Sequence, residues 1–143
     1  MKRILRYLKG TRELGIIYRP ELQPETNRDD QTIPWGYCDA NYAEDTRDQK
    51  STSGYGFMLA NGSIAWKSKK QASVALSTTE AEYYALGMAC QEAVWLKQIF
   101  QELYLDFRKS IHIYSDNTGA VALLDNPVYH SQLKHIDICW HYI

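Results

Sequence analysis

One long helical pattern between Thr79 and Tyr104 constrains the fold of this chain more than any other feature. Apolar or small residues recur there every three or four positions, at Leu86, Ala89, Ala93, Leu96, Phe100 and Leu103. A helix with a single apolar stripe is stable only when that stripe is buried against a second layer. Because strand-like segments lie on both sides of it in the sequence, the expected second layer is a β-sheet.

Four short segments have patterns typical of strands. They are Pro34–Asp39, Gly54–Ala60, residues 63–68 and Ile111–Ser115. Asn61-Gly62 predicts a two-residue hairpin turn between the second and third strands, because both residue types tolerate positive φ. A short helix over residues 117–126 follows the fourth strand. This order predicts an α/β fold with a mixed sheet, in which the long helix connects the first strand to a parallel fourth strand.

The N-terminal segment differs from the rest of the chain. KRILRYLKGT predicts a basic amphipathic helix that ends at Gly10, and an apolar run from Leu14 to Tyr18 follows. A polar stretch with a proline then predicts a surface loop or linker. We therefore expect residues 1–32 to be a connecting segment and residues 33–143 to form the domain.

The composition is that of a globular protein: 143 residues, of which 45% are hydrophobic and 23% charged. The net charge of -1 provides no overall basic field, so any binding of nucleic acid must rely on local patches. The three cysteines, Cys38, Cys90 and Cys139, lack the spacing of a zinc site and are expected to be reduced thiols of an intracellular protein. No run approaches the ~20 apolar residues that a membrane-spanning helix needs.

Two aspartates are candidates for a metal site. Asp39 and Asp116 each stand at the C-terminal end of a predicted strand, where sites gather in α/β sheets. Two carboxylates brought together there would repel each other, and a hard cation such as Mg²⁺ resolves that repulsion. Asp is also common in turns at strand ends, so from the residues alone the two interpretations are evenly balanced.

A glutamate at the start of the long helix is the third candidate. At ~100° per residue, Glu82 falls on the apolar stripe, whereas Glu80 is expected to point toward solvent. Glu82 also fits a capping box that begins at Thr79, and the two interpretations are compatible. Two Asp and one Glu together predict a two-metal centre, in which one ion activates water and the other stabilises the leaving oxygen of a phosphodiester.

Six segments of the sequence resemble a known family. They are GYCDANYA, STSGYGFML, IAWKSKKQ, VALSTTEAEYYAL, IHIYSDNTGAVAL and NPVYHSQLKHIDI. Together they are similar to the ribonuclease H domain of copia-type LTR retrotransposon Pol, and KRILRYLKGT resembles the segment that joins reverse transcriptase to that domain. The resemblance implies a ribonuclease H fold and cleavage of the RNA strand of RNA·DNA hybrids with two Mg²⁺ ions, which Mn²⁺ can replace. It implies that Asp39, Glu82 and Asp116 are the catalytic metal ligands.

The resemblance also implies the setting of the domain. The partners would be the RNA·DNA hybrid and the reverse transcriptase domain of the same polyprotein, without a membrane, in a cytoplasmic virus-like particle or the nucleus. The family has a fourth acidic residue after a fifth strand, at the start of a last helix. This sequence stops at Ile143, so we expect that strand and helix to be missing and do not expect Asp137 to replace the fourth ligand.

Five residues are candidate contacts to nucleic acid, and each has a simpler alternative. They are Asn41, Ser53, Lys67, Lys69 and Asn117. Lys67 and Lys69 flank a tryptophan and suit a phosphate-contacting patch or a solvated polar turn. Asn117 is more simply an N-cap, Asn41 and Ser53 fit surface turns equally well, and His130 and His135 are expected to be ordinary surface or partly packed histidines.

Three functions therefore remain open from the sequence. The first is a ribonuclease H, and the second is an inactive transposon remnant that keeps the fold or binds nucleic acid. The third and weakest is a ribonuclease H-like fold used for DNA strand transfer. We also expect Tyr83 and Tyr84 to pack around the helix rather than stack on bases.

Overall fold

The structure is a computed structural model that describes residues 2–19, 33–103 and 110–125. Its elements are α1 (Lys2–Gly10), β1 (Trp35–Asn41), β2 (Thr52–Leu59), β3 (Gly62–Lys70), α2 (Thr78–Glu102), β4 (His112–Tyr114) and α3 (Thr118–Asp125). The strands form one sheet in the order β3-β2-β1-β4. β1 pairs antiparallel with β2 and parallel with β4, and β2 pairs antiparallel with β3. The predicted α/β fold with a mixed sheet, consistent with a ribonuclease H-like arrangement, is therefore confirmed.

Three strands are longer than their sequence patterns predict. β1 continues to Asn41, β2 begins at Thr52, and β3 continues to Lys70. The pairing of Asn41 with Thr52, and of Thr52 with Lys70, extends the ladder through residues that a polarity pattern assigns to loops. The last five residues of β3 are exposed, so no alternation of polar and apolar residues marks that part of the strand.

The hairpin turn lies one residue earlier than predicted. Ala60 (φ 49°) and Asn61 (φ 61°) have positive φ, and Leu59 pairs with Gly62 across the turn. Gly62 opens β3, and the ring of Tyr18 packs directly on its backbone. Glycine is therefore favoured at position 62 by the close approach of the Tyr18 ring and not by a positive φ. For this reason the preference of Asn-Gly for two-residue turns predicted a turn that is shifted by one residue.

The core lies between α2 and the sheet. Buried members of one cluster are Cys38, Phe57, Ala85, Leu86, Ala89 and Leu96, and Ala93 and Phe100 pack against it. The predicted apolar stripe is therefore confirmed except at Leu103, which is 62% exposed near the end of α2. Tyr83 is fully buried and Tyr84 half-buried, which agrees with their expected packing around the helix.

The opposite face of the sheet carries an aromatic cluster. The rings of Trp35 and Tyr37 meet edge to face with centroids 5.1 Å apart, and the ring of Tyr114 lies 5.5 Å from that of Tyr37. Tyr37 and Tyr114 remain 56% and 54% exposed. Because side chains alternate along a strand, this cluster and the next outward position on β1, Asp39, share one face.

The N-terminal segment forms the predicted helix and then reaches the β2–β3 turn. All residues of α1 are exposed. Further along, Arg19 N–H donates to the carbonyl of Ala60 (2.8 Å), and the Tyr18 hydroxyl donates to the carbonyl of Ser63 (2.8 Å). The linker over residues 20–32 and the tail helix expected from Ser131 lie outside the described residues, so the domain boundary at residue 33 stays a prediction.

Within the described residues, no helix is both long enough and apolar enough to span a membrane.

Candidate metal centre

Three carboxylates from three different elements converge at one edge of the sheet. One carboxylate oxygen each of Asp39, Glu82 and Asp116 lies within 4.8 Å of the others. Glu82 is buried (7% exposed), whereas Asp39 and Asp116 are exposed. These are the three residues predicted from the sequence, and the structure brings them together.

The parallel pairing of β1 with β4 brings the two aspartates level with each other. Tyr37 pairs with Tyr114, and Asp39 and Asp116 each follow two residues later. This pairing brings the two aspartates close together, with carboxylate oxygens within 4.8 Å. Asp39 is not at the strand end as predicted, because β1 continues to Asn41 and Asp39 pairs with Gly54 of β2. Asp116 does follow the end of its strand.

The N-terminus of α2 aims Glu82 at β1. Ser77 is the N-cap, and its hydroxyl accepts a hydrogen bond from Glu80 N–H (3.1 Å). The Glu80 carboxylate in turn accepts a bond from Leu76 N–H (2.7 Å). The predicted capping box at Thr79 is therefore wrong, and so is the expected exposure of Glu80, which is buried (5% exposed). Because Glu80 serves the cap, Glu82 is left available for the site.

Burial disfavours the charged form of Glu82. Desolvation raises the pKa of Glu82, and repulsion from Asp39 and Asp116 raises it further. A hydrogen bond from Ala40 N–H lowers that pKa and so opposes the rise. Oε2 of Glu82 has no hydrogen-bond partner among the described residues. A buried carboxylate oxygen without a partner is costly, and a bound cation removes that cost.

The donor set fits a hard divalent cation. Three carboxylates supply oxygen ligands only, which Mg²⁺ prefers. Oxygens that share one octahedral Mg²⁺ at ~2.1 Å lie no more than about 4.2 Å apart. The observed separation of up to 4.8 Å therefore requires only a small rotation of the exposed aspartates.

A cleft of about 360 Å³ adjoins the carboxylates. Its lining consists of Tyr37, Cys38, Asp39, Tyr114, Ser115 and Asp116. Burial is the main reason that the pKa of the Cys38 thiol is raised to about 12; a hydrogen bond with Ser115 lowers that pKa, and the nearby Glu82 charge raises it. Cys38 is therefore a neutral thiol at physiological pH and serves as neither a nucleophile nor a thiolate ligand.

The five candidate nucleic-acid contacts have different surroundings. Asn41 ends β1 with an exposed side chain, and Lys67 and Lys69 are exposed on β3, in a strand and not in the polar turn considered as their alternative. Ser53 is fully buried within β2, so both its assignment to a surface turn and its direct contact with a substrate are wrong. Asn117 is an N-cap, since its Oδ1 accepts from Ala120 N–H (2.8 Å).

Gln71 is a buried residue close to the site that was not predicted from the sequence. It stands directly after β3, at the end of the segment IAWKSKKQ. The sequence around Gln71 offers only one polar residue followed by Ala-Ser-Val. Such a local pattern does not distinguish a buried glutamine from an exposed one. Asp137, His130 and His135 lie outside the described residues.

Comparison with known proteins identifies homologous sequences. The chain is 41% identical over 143 residues to a retrovirus-related Pol polyprotein from transposon TNT 1-94 of Nicotiana tabacum, and 40% identical over 143 residues to one from transposon RE1 of Arabidopsis thaliana. It is 48% identical over 96 residues to the secreted RxLR effector protein 161 of Plasmopara viticola, which covers 67% of this chain and 62% of that protein. No family model matches the chain.

The match to the transposon polyproteins includes every residue of this chain. The chain nevertheless spans only about a tenth of the length of those relatives, 10% and 9% respectively. Its homologues over the whole sequence are therefore retrotransposon Pol polyproteins, of which it corresponds to one segment.

Proposed function

We propose that this chain provides a ribonuclease H activity of a copia-type retrotransposon Pol polyprotein, hydrolysing the RNA strand of RNA·DNA hybrids. The convergence of Asp39, Glu82 and Asp116 is the observation that carries the proposal. Homology to Pol polyproteins over the whole chain supports the proposal. The family that the sequence resembles carries out reverse transcription, in which RNA·DNA hybrids are formed. The partner domain would be the reverse transcriptase of the same polyprotein, in a virus-like particle or the nucleus.

Each carboxylate has a separate role in the proposed site. Asp39 and Asp116 are exposed, so they bind Mg²⁺ or Mn²⁺ while leaving room for a phosphodiester in the adjoining cleft. Glu82 approaches from the helix side and offers its unpartnered Oε2 from a buried position. When bound, divalent cations supply Lewis acidity that activates water and stabilises the leaving oxygen.

Two exposed cations on β3 are available to phosphates of the hybrid on the face of the sheet opposite to Asp39. Lys67 and Lys69 have no ion pair among the described residues. They pair with Tyr55 and Ser53, which in turn pair with Cys38 and Ala40 and not with Asp39. Lys70 differs from Lys67 and Lys69 because it is held by Asp45 and Asp48. Asn41 stands two residues beyond Asp39 on the same strand, where it can contact the substrate next to the metal ligands.

Cleavage of an end-labelled RNA·DNA hybrid tests the proposal. The purified chain should cut the RNA strand only with Mg²⁺ or Mn²⁺, and Glu82→Gln should reduce cutting to background. Glu80→Gln is the matched control, because Gln keeps an oxygen that can accept the cap bond from Leu76 N–H. Failure of the folded wild-type chain to cut would favour an inactive remnant that keeps the fold or binds nucleic acid. Loss of cutting in Glu80→Gln as well would indicate a folding defect.

A further inference from the structure

Gln71 connects the sheet to the first turns of α2. Its side chain is buried (9% exposed). The amide Nε2 donates to Oγ of Ser53 in β2 (2.7 Å) and to the carbonyl of Ala81 in α2 (3.0 Å). Its backbone N–H donates to the carbonyl of Ser51 (2.8 Å). One residue therefore fixes the distance between the beginning of β2 and the beginning of the helix.

The same hydrogen bonds connect the residues next to Glu82 on α2 and β1. Ala81, which accepts from Gln71, immediately precedes Glu82. Ser53, the other acceptor, pairs with Ala40 in the β1–β2 ladder. The Ala40 N–H donates to the Glu82 carboxylate. Gln71 thus holds α2 to the sheet at the level where Glu82 reaches β1.

Glu82 needs such a constraint because its position is unfavourable without a cation. Its charge is desolvated and is repelled by Asp39 and Asp116, and its Oε2 has no partner among the described residues. These effects all favour movement of the helix end away from the aspartates. A second link from β2 to α2, the bond of the Tyr55 hydroxyl to Glu92 (2.6 Å), lies ten residues further along the helix, roughly 15 Å away.

We propose that Gln71 is a positioning residue that holds Glu82 in place for metal binding. The importance of Gln71 for metal binding rests on the proposed function. The effect of Gln71 on the hydrogen bond between Ala40 N–H and Glu82 is independent of that function. Loss of a hydrogen bond made directly to a metal ligand typically changes metal affinity by roughly 10- to 100-fold. Gln71 acts through Ala81, the residue before the ligand, so we expect an effect near the lower end of that range. A glutamine suits the role because its amide donates two bonds at once and carries no charge that would compete with the ligands.

Two measurements on the full chain test the inference. The first is the NMR chemical shift of the Ala40 amide proton without metal, which reports its bond to the Glu82 carboxylate. The second is the affinity for Mn²⁺ alone, measured by electron paramagnetic resonance. Gln71→Met, which keeps length but donates no bond, should move the Ala40 resonance toward its position in Glu82→Gln. It should also weaken Mn²⁺ binding by about 10-fold or more.

Tyr55→Phe is the matched control, because it also removes a bond between β2 and α2. It should leave both the Ala40 resonance and the Mn²⁺ affinity close to wild type, even if its melting temperature falls as far as that of Gln71→Met. Equal effects of the two variants would overturn the inference in favour of general loosening of the helix. If Gln71→Met fails to fold, Ser53→Ala decides, since it removes one acceptor and should shift the same resonance by a smaller amount.

The outcomes separate this inference from the proposed function. The positioning role is overturned if the Ala40 resonance is unchanged in folded Gln71→Met. If Gln71→Met does not fold, an unchanged Ala40 resonance in Ser53→Ala overturns it. If the resonance shifts but wild type binds no Mn²⁺, the positioning role holds and the metal-dependent function fails. If wild type binds Mn²⁺ and Gln71→Met binds it equally well, Gln71 does not position Glu82 for the metal.

Discussion

The ring of Tyr18 occupies the space into which any side chain at Gly62 would project. A β-carbon on Gly62 would overlap two atoms of that ring. The contact is reinforced by the bonds from the Tyr18 hydroxyl to Ser63 and from Arg19 to Ala60. The N-terminal segment is therefore attached to the domain at the β2–β3 turn.

Gly62→Ala should release this segment while leaving the domain folded. Because Tyr18 is 54% exposed, its ring can move away, and the free energy of unfolding should fall by about 1–3 kcal/mol, the value of the two hydrogen bonds that attach the segment. Limited proteolysis should show faster cleavage near residue 19. In a Tyr18→Ala background, Gly62→Ala should have no further effect, and an additive effect would contradict the contact.

Ala60→Gly should stabilise the chain. Ala60 has φ of 49°, and a left-handed conformation costs a residue with a β-carbon about 1–2 kcal/mol. Glycine avoids that cost but loses about 0.5–1 kcal/mol to backbone entropy, so the expected gain is about 0.5–1 kcal/mol in urea unfolding. Ala65→Gly, within β3, should instead destabilise. A lower midpoint for Ala60→Gly would contradict the turn geometry.

Gly36→Ala should destabilise the core. A β-carbon at Gly36 would lie 2.6 Å from the fully buried Phe57 ring and 2.9 Å from the Gly56 carbonyl oxygen. Overpacking of this kind costs about 1–3 kcal/mol. Gly56→Ala is the matched control on the neighbouring strand, where nothing lies within 4 Å of the added carbon. Thermal unfolding should show a loss for the first variant and almost none for the second, and equal losses would refute the packing argument.

The loop before β2 should loosen in acid. Lys70 Nζ lies 2.6 Å from Asp45 and 2.9 Å from Asp48, and these bonds lower the pKa of both aspartates. A lowered pKa stabilises the folded state above the ordinary aspartate pKa of about 3.9, and that contribution is lost as the pH falls through the lowered values. The protection factor for hydrogen exchange of Gln49 N–H, which donates to the Asp45 carbonyl (2.7 Å), should therefore fall only below about pH 4.

The lysine side of the same cluster gives an independent check. The two aspartates raise the pKa of Lys70, so its contribution is present at neutral pH and is lost only as the pH rises above the ordinary lysine range. Lys70→Met should make Gln49 exchange fast at pH 7. Lys69→Met, on the same exposed strand end, should leave it slow. Equal exchange in the two variants would show that the ion pairs do not hold the loop.

Removal of the charge on Glu82 should separate folding from metal binding. Without metal, Glu82→Gln should be at least as stable as wild type at pH 7, because it removes the desolvation of a carboxylate and its repulsion from Asp39 and Asp116. With Mg²⁺ at 100 times its Kd, wild type should gain about 2.7 kcal/mol and the variant much less. A melting temperature of wild type that does not respond to Mg²⁺ would argue against the metal centre.

The sequence by itself predicted the layer order and the three carboxylates that the structure brings together. The 3.6-residue period of α2 and the alternation in the strands report which face of each element is buried, so they predict the mixed sheet and place Glu82 on the stripe that faces it. The parallel pairing of the two strands that flank the crossover helix then brings Asp39 and Asp116 together, although β1 continues to Asn41. These properties depend on neighbours within a few residues along the chain.

Tertiary structure decided what depends on contacts between distant segments. Gly62 is needed because Tyr18 packs on it, Glu80 is buried because it bonds the backbone before its own helix, and Ser53 is inside because the ladder extends past the polar loop. Gln71 links β2 to α2 over ten residues or more in either direction. No local pattern encodes such contacts, since burial of a polar side chain depends on whether the folded chain supplies its hydrogen-bond partners.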